Sequence, residues 1–449
     1  MNVVIVGAGD MGRYIAGMLS KEQHNVVLID INARKLEIAS STIDLAVRLG
    51  SGSDWQLLDE LLDLSPHVLV ALTGDDEENL VACSIAKHLG YPRTVARVRD
   101  SRFLNSSRLD FSNVFSVDYF ISPELLVASD IVKYMISPGS VAIEHFVHGA
   151  VQLRTMVIPA KWKKGERPLR ELGLPQDIMV GLIRRADKLG FRVIFPHGED
   201  FLLPGDEVTF IGESEAISEL HHFFGIPQRI VKSVVIIGGS LTAINLAKLL
   251  VQREIDVRII DKDYDKCVFL SEKLPQCTIL HHNATDLEFF NAEKIGNADL
   301  LISCTRDDET NVLTACLGKE AGCNEAVAIL TNQSYLPFVG RLGINYAVSP
   351  RICAANHILS QIFSETVTSL ISLYDNQAEI MEINVSMDSE IVGIPLSELG
   401  SFLPQDFLIA VIQNRGRVMI ANGNRIISPG DTVIVITSPK HVADIQKLF

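Results

Sequence analysis

The sequence predicts an α/β protein in which one unit, a larger domain followed by a smaller one, occurs twice. Three observations predict it: β-branched runs alternate with helical patterns, the same motifs return in the same order in the second half, and a Pro-Gly-Asp turn marks each smaller domain. Alternation of this kind is typical of a parallel, doubly wound sheet with right-handed crossovers.

The repeat extends along the whole chain of 449 residues. VVIVGAGDMGRYIAGML returns as VVIIGGSLTAINLAKLL, and VVLID returns as VRIID, so that Gly7 matches Gly238 and Asp30 matches Asp261, each 231 residues apart. LVALTGDDEEN returns as LISCTRDDETN, and DYFISP returns as NYAVSP. Ordered matches of this extent indicate a duplication. The expected domains are 1–137, 138–225, 226–372 and 373–449.

The first copy shows the elements most clearly. Its predicted strands are Val3–Val6, Val26–Asp30, His67–Leu72 and Thr94–Val98. Its helices are expected to begin near Gly9, Ala33, Trp55 and Asp75. We expect helical connectors to the smaller domains at Glu124–Ile136 and, longer, at Arg351–Ser372, and a linker between the halves from Leu220 onward. Each smaller domain is predicted to be a compact α+β module.

Composition limits the classes of function. The apolar fraction of 47% suffices for full cores, and the charge of −15 (40 minus 55) disfavours nucleic acid and anionic lipid as partners. The first residues lack the pattern of a secretory signal, and the seven cysteines include no CxxC spacing. The apolar stretch Ser233–Val251 reads better as strand, turn and helix than as a membrane span. We therefore expect a cytosolic protein without direct lipid insertion.

Gly7, Gly9 and Gly12 form a G-x-G-x-x-G motif between a strand and a helix. Such glycines allow the tight turn, the approach of a pyrophosphate and the close packing of helix on strand. Asp30 ends the second strand, where an acid can bind ribose hydroxyls and repel a 2′-phosphate. The pattern predicts a Rossmann-like site for NAD rather than NADP; the alternative is a turn kept only for structure.

Three further residues of the first copy are candidates for ligand contact. Thr73 and Gly74 follow the predicted strand His67–Leu72, at the carboxyl edge where open α/β sheets bind ligands. Arg97 lies among apolar neighbours and needs an anionic partner, either a bound phosphate or a structural carboxylate. The acids next to Gly74 are better explained as helix caps and first-turn acids: Asp75, Asp76 and Glu78.

The second copy departs from this pattern. Ser240 and Ala243 stand where the second and third glycines would be, and Ile329 stands in the place of Arg97. Asp261 and Thr305 are retained. We therefore expect a second site that is weaker, altered or empty.

Catalytic and metal signatures are missing from the sequence. It contains no HExxH, no G-x-S-x-G, no Walker loop and no Cys–His nucleophile signature. His145 with His148, and His221 with His222, are expected to be surface or packing residues rather than metal ligands. We predict neither an enzyme nor a metal site.

The order GAGDMG, VVLID, LTGDDEEN, ARVRD and DYFISP, followed by a PGD-containing module, closely resembles the RCK (KTN) domain pair. Two such pairs in one chain resemble the TrkA-like family of regulatory subunits of Trk-type potassium uptake systems. The resemblance covers essentially the whole chain. It implies a cytoplasmic protein, peripheral on the cytoplasmic face of the inner membrane, that forms a homotetrameric ring on a potassium-conducting membrane subunit.

The same resemblance implies NAD(H), ATP or ADP as regulatory ligands. In the first copy it implies contacts from Gly7, Gly9, Asp10, Met11, Gly12, Asp30, Thr73, Gly74 and Arg97. In the second copy the equivalents are Gly238, Ser240, Leu241, Asp261 and Thr305.

Two other functions stay open at this point. An NAD-dependent oxidoreductase would need a catalytic group for nicotinamide turnover. A regulator of a different potassium channel or efflux transporter would more commonly carry a single RCK pair, so the duplication favours the Trk interpretation.

Overall fold

The protein is described here from a computed structural model. It describes all residues except 22, 106–107, 137–139, 163, 166, 176, 188–189, 227–230, 363–366, 375–376, 402 and 405.

The first larger domain alternates strands with helices. Its strands are β1 Asn2–Val6, β2 Asn25–Asp30, β3 Ala46–Leu49, β4 Val68–Ala71, β5 Arg93–Arg97 and β6 Tyr119–Ile121. Its helices are α1 Asp10–Lys21, α2 Ala33–Thr42, α3 Trp55–Glu60, α4 Asp76–Leu89, α5 Phe111–Phe115 and α6 Pro123–Ile136. The strands form one parallel sheet in the order β3-β2-β1-β4-β5-β6. This confirms the predicted parallel, Rossmann-like sheet.

The predicted strands and helix starts of this domain agree with the structure to within one or two residues. The short strand β3 was not predicted. Its sequence, AVRL, lies at the sheet edge and is largely exposed, so it lacks the apolar run by which buried parallel strands are recognised. Its register is set by pairing with β2, where Asp30 faces Leu49.

The second larger domain repeats the first. Its strands are β12 Ser233–Ile237, β13 Asp256–Asp261, β14 Thr278–His281, β15 Leu300–Ser303, β16 Glu325–Ile329 and β17 Tyr346–Val348. Its helices are α9 Leu241–Val251, α10 Tyr264–Lys273, α11 Leu287–Ala292, α12 Asp308–Glu320 and α13 Pro350–Ile362. The parallel order β14-β13-β12-β15-β16-β17 reproduces that of the first sheet.

Each smaller domain carries an antiparallel sheet. In the first the strands are β7 Ser140–Phe146, β8 Val151–Val157, β9 Ile178–Asp187, β10 Gly190–Ile194 and β11 Glu207–Glu213, followed by α7 Ser214–Ser218 and α8 Leu220–Phe223. In the second they are β18 Val367–Leu373, β19 Ala378–Asn384, β20 Phe407–Asn414, β21 Arg417–Ile420 and β22 Thr432–Thr437, followed by α14 Val442–Leu448. The orders are β10-β9-β11-β8-β7 and β18-β19-β22-β20-β21.

Two expectations about connecting segments were wrong. The second connector was expected to run to Ser372, but α13 ends at Ile362, and Val367–Leu373 is the first strand of the smaller domain. That strand is apolar and β-branched, which sequence patterns of this length do not separate from a buried helix. The linker was expected from Leu220 onward, but Leu220 and Phe224 are buried in the core of the first smaller domain.

Contacts group the chain into two compact units, each combining a segment from both halves. One unit contains the larger domains, Met1–Ser129 and Lys232–Ile358. The other contains the smaller domains, Asp130–Val231 and Leu359–Phe449. In the second unit one hydrophobic cluster draws on both sheets, with Leu153 and Ile211 from the first and Ile380 and Ile434 from the second. The duplicated domains therefore pair within a single chain.

Candidate functional site

The glycine-rich loop of the first copy joins β1 to α1 at the carboxyl end of the sheet. Gly7 has a φ of 104°, which residues with side chains rarely adopt, and its N–H donates to the Ile29 carbonyl at 2.7 Å. A Cβ atom on Gly12 would lie 1.8 Å from the Gly7 carbonyl oxygen. Both glycines are therefore required by the packing of helix against strand.

Gly9 and Gly74 have different surroundings. A Cβ atom on either would meet no other atom within 4 Å, so packing does not require a glycine at these positions. Gly9 precedes the first turn of α1, where backbone N–H groups have no partner within the helix. Open space above such a turn is what the approach of a pyrophosphate needs, and the first loop therefore fits a nucleotide.

Asp30 holds the ends of two elements together. One carboxylate oxygen accepts a hydrogen bond from Ala8 N at 2.7 Å, and the other accepts from Asn32 N at 2.8 Å. Asn32 is in turn the N-cap of α2. Because each carboxylate oxygen can accept more than one hydrogen bond, Asp30 retains capacity for ribose hydroxyls.

Asp10 and Met11 form the first turn of α1. Met11 is buried, whereas the Asp10 side chain is 63% exposed. The Asp10 carboxylate pairs with Arg13 at 2.7 Å and with Arg351 of the second copy at 3.1 Å. The rim of the first loop thus carries one acid between two arginines.

Thr73 is fixed by a buried asparagine that the sequence did not single out as a site residue. Its N–H and hydroxyl both donate to Asn79 Oδ1, at 2.9 and 2.8 Å. The Asn79 amide donates to the Arg97 carbonyl at 2.9 Å, so this side chain ties the end of β4 to the end of β5. Thr305 and Asn311 repeat the arrangement in the second copy. The sequence offered one sign that Asn79 matters, namely that it recurs as Asn311 in the repeat.

Arg97 has a structural carboxylate partner. Its Nη2 lies 3.1 Å from Glu124 Oε1 in the first turn of α6, and both side chains are largely buried. Of the two partners considered for Arg97, the carboxylate is therefore present. The Nε atom of Arg97 is buried without a hydrogen-bond partner among the described residues, which leaves one donor for a further acceptor.

The acids that follow Gly74 have structural roles. Asp75 is the N-cap of α4 and accepts from Glu78 N at 2.8 Å, which confirms the capping interpretation for Asp75. Asp76 accepts from Arg99 N and Asp100 N, at 2.9 Å each, and so fixes the loop that follows β5.

The acid of the second copy is already paired. Asp261 accepts from Lys266 Nζ at 2.6 Å, from Gly239 N at 2.7 Å and from Asp263 N at 3.0 Å, and it is buried. Burial alone would raise the pKa of Asp261, but the hydrogen bonds from Lys266 and the backbone hold it below its usual value. The carboxylate therefore stays charged, with a cation of the chain itself against it.

The second loop packs differently against the helix that follows β13. A Cβ atom on Gly239 would lie 2.4 Å from Leu270 Cδ1 and 3.3 Å from Lys266 Cε, whereas the matching residue of the first copy, Ala8, has a buried methyl group. The residues that match Leu270 and Lys266 in the first copy, 231 positions earlier, are Ala39, which is small, and Lys35, which is exposed. Leu270 thus fills in the second copy the core space that the Ala8 methyl group takes in the first.

Ser240 occupies the N-terminus of the helix that follows the second loop. Its hydroxyl accepts from Ala243 N at 3.2 Å, as the N-cap of α9, and lies 2.8 Å from Cys304 Sγ. Gly238 keeps the backbone conformation of Gly7, with a φ of 94°, and Leu241 is partly exposed. The turn keeps its shape, but the Ser240 side chain caps the helix at the end where a phosphate would bind, which favours a weaker or empty second site.

The histidines considered as metal ligands have other surroundings where they are described. His221 is buried, with its ring centroid 3.9 Å from that of His222, whereas the side chains of His145 and His148 lie outside the described part of the chain. No cluster of His, Cys, Asp and Glu suited to a metal occurs among the described residues. In the same residues no helix has the length and apolar character needed to cross a membrane.

The fold and the first loop define a protein with tandem Rossmann-like domains, each followed by a small antiparallel domain. Comparison with known families places the larger domains, at 3–123 and 234–350, with the TrkA-N domain, and the smaller domains, at 166–225 and 380–449, with the TrkA-C domain. The chain therefore belongs to the TrkA family, whose two domain types it carries twice.

Curated relatives match over the full length. The chain is 30% identical to the Trk system potassium uptake protein TrkA homolog 1 of Methanosarcina mazei, covering all of both chains. It is 29% identical to the Trk system potassium uptake protein TrkA of Haemophilus influenzae, covering 100% of this chain and 98% of the relative.

Among solved structures, the GsuK RCK domain matches with a TM-score of 0.62 at 16% identity, over 99% of this chain and 94% of that chain. The GsuK channel bound to NAD matches with a TM-score of 0.62 at 16% identity, over 100% of this chain and 78% of that chain. These similarities show a shared fold.

Proposed function

We propose that this chain is the nucleotide-binding regulatory subunit of a Trk-type potassium uptake system. The observation that carries the proposal is the open glycine loop of the first copy, where Gly9 leaves free space above the N-terminus of α1. The full-length relatives named as Trk system potassium uptake proteins supply the transport context.

The proposed ligands are NAD(H), ATP and ADP. Gly7, Gly9 and the N–H groups of Asp10, Met11 and Gly12 would hold the phosphates, and Asp30 would accept from the ribose hydroxyls. The carboxylate of Asp30 disfavours a 2′-phosphate, so NADP(H) is the poorer ligand. Proteins of the same fold have been solved with NAD and with ADP, which supports this choice of ligands.

Thr73, Gly74 and Arg97 would complete the first site from the ends of β4 and β5. In the second copy the equivalent positions are Gly238, Ser240, Leu241, Asp261 and Thr305. We propose that this second set binds nucleotide weakly or not at all, because Lys266 pairs with Asp261 and the Ser240 side chain caps α9.

Regulation would act through the assembled protein. We propose a cytoplasmic homotetrameric ring, bound to the cytoplasmic face of a potassium-conducting membrane subunit. A nucleotide can shift such a ring between two shapes only by binding them with different affinity. Helices α6 and α13, which follow the two Rossmann-like sheets, are the proposed transmitting elements.

The role is proposed to be regulatory rather than enzymatic. An oxidoreductase would require a general acid or base beside the nicotinamide, and the polar residues around the first loop are tied to backbone and to one another. Catalytic consumption of NADH by the purified chain would instead favour the oxidoreductase alternative.

Ligand binding is tested by calorimetric titration of NAD, NADH, ATP and ADP into the purified protein and into a Gly9→Ala variant. We expect binding at submillimolar nucleotide and its loss or strong weakening in the variant. If wild-type protein binds none of the four at millimolar concentration, the proposed function is wrong in its central step.

The transport role is tested by co-expression with a Trk membrane subunit in bacteria that lack their own potassium uptake. We expect growth at low potassium to require this chain and to be impaired by Gly9→Ala. Equal growth with and without the chain would contradict a regulatory role in potassium uptake.

A further inference from the structure

An ion pair joins the second copy to the loop of the first. Arg351 Nη2 lies 3.1 Å from Asp10 Oδ2, and the two side chains are 28% and 63% exposed. Arg351 is in the first turn of α13, whereas Asp10 is in the first turn of α1. Both belong to the compact unit formed by the larger domains.

The repeat shows that this arginine has replaced an acid. DYFISP is followed by Glu124 and NYAVSP by Arg351, at matching positions of α6 and α13. In the first copy Glu124 pairs with Arg97 of the same copy. The residue that matches Arg97 in the second copy is Ile329, so both members of the pair have changed, and Arg351 contacts the first copy instead.

Charge at the first loop explains why a cation is useful there. A nucleotide phosphate that approaches the N-terminus of α1 meets the carboxylate of Asp10, and like charges at short range repel. Arg13 and Arg351 flank that carboxylate. An arginine fork can bind a carboxylate and then a phosphate with similar geometry.

We propose that Arg351 completes the first nucleotide site as a phosphate-binding residue supplied by the second copy. The inference rests on the proposed function. The second copy, whose own acid is paired with Lys266 and whose α9 is capped by Ser240, would then serve the first site rather than form one of its own. Nucleotide binding would thereby draw α13 and α1 together.

The test is calorimetric titration of ATP, ADP, NAD and adenosine into wild-type protein and an Arg351→Gln variant. We expect the variant to bind the phosphate-bearing ligands more weakly, by about tenfold or more, because a charge-assisted hydrogen bond is lost. Adenosine, which has no phosphate, should bind both proteins equally. Arg351→Lys, which keeps the charge but not the fork, should lie between them.

Two controls separate phosphate binding from simple bridging. Asp10→Asn removes the acid and frees Arg351; affinity should then stay the same or increase if Arg351 binds phosphate. Arg341→Gln changes the net charge equally at an exposed position of the same half and should have no effect.

The outcomes distinguish this inference from the proposed function. If wild-type protein binds nucleotide and Arg351→Gln binds it equally well, the inference is overturned while the site stands. Equal weakening by Asp10→Asn and Arg351→Gln would also overturn it, because Arg351 would then act only by holding Asp10. Absence of wild-type binding would remove the proposed function itself.

Discussion

Gly9 and Gly12 belong to the same loop, but only Gly12 is surrounded by atoms that leave no room for a side chain. The position of a Cβ on Gly12 is already taken by the Gly7 carbonyl oxygen, whereas a Cβ on Gly9 would enter open space. One glycine is therefore needed by the fold, and the other is available for a ligand. Stability and affinity should accordingly be separable by single substitutions in this loop.

At the residue scale we predict that Gly12→Ala destabilises the protein by about 1–3 kcal/mol, the usual cost of overpacking a filled site. Gly9→Ala should change stability by less than about 0.5 kcal/mol, because the new methyl group meets nothing. Chemical denaturation measures both values. A Gly9→Ala variant as unstable as Gly12→Ala would show that the space above the loop is not open.

At the element scale, the C-terminal part of α6 and strand β7 carry a cluster of charged side chains. Lys133 Nζ lies 3.1 Å from Asp130 Oδ1 and 3.8 Å from Glu144 Oε2. Burial raises the pKa of Glu144 to about 7 from 4.5, although Lys133 opposes the shift. The folded protein therefore binds a proton at Glu144 more tightly than the unfolded chain does.

That pKa predicts a pH dependence with a defined sign. The contribution of Glu144 to stability is fully present below pH 4.5 and is lost as the pH rises through 7. The glutamine of Glu144→Gln stays neutral, so the variant should lose this dependence of stability on pH. Its free energy of unfolding at pH 8 should exceed that of the wild type by about 1–3 kcal/mol. Chemical denaturation between pH 4.5 and 8 checks this prediction, with Glu171→Gln at an exposed position as the control. If stability depends on pH equally in the two variants, Glu144 is not the group responsible.

Another element-scale feature is the contact between the two small sheets. A Cβ atom on Gly181 in β9 would lie 2.5 Å from Cδ1 of Ile436 in β22. These strands come from different halves of the sequence, and Ile436 belongs to the cluster shared by both sheets. The glycine allows the sheets to approach closely.

We therefore predict that Gly181→Ala lowers the free energy of unfolding by about 1–2 kcal/mol. In the double variant, Ile436→Val removes the contacted methyl group and should restore part of that free energy. Each single change alone should destabilise. A double-mutant cycle by thermal or chemical denaturation gives the coupling energy. Strict additivity would mean that the two residues do not meet in solution.

For the whole molecule, duplication has produced two Rossmann-like copies with unequal loops. Among the described residues, the carboxylate of Asp30 in the first copy accepts hydrogen bonds from backbone N–H groups, whereas that of Asp261 also pairs with Lys266. A nucleotide would have to break this ion pair to reach Asp261 in the second copy. The unequal loops give the chain one favoured site.

We accordingly predict one nucleotide per chain in a titration of wild-type protein. The variant Lys266→Ala should gain a second, weaker site, since it frees Asp261. Lys35→Ala, the matched change in the first copy, should leave stoichiometry unchanged. Two equivalent sites in wild-type protein would contradict the prediction.

The sequence by itself determined the repeat, the parallel sheets and the first glycine loop. These depend on the spacing of apolar residues and on the short spacing of Gly7, Gly9 and Gly12, both of which are local and readable along the chain. It also indicated an acidic cap at Asp75 and an altered second loop at Ser240.

Only the tertiary structure decided which groups meet. The sequence did not name the pairing of Lys266 with Asp261 or the hydrogen bonds of Asn79, although these residues are close along the chain. The contact of Arg351 with Asp10 and the shared core of the two small sheets join different halves of the sequence. An exposed lysine and an ion-paired one look alike in a sequence, as Lys35 and Lys266 do. Their difference arises from packing, because the free energy of an ion pair depends on separation and burial rather than on residue type.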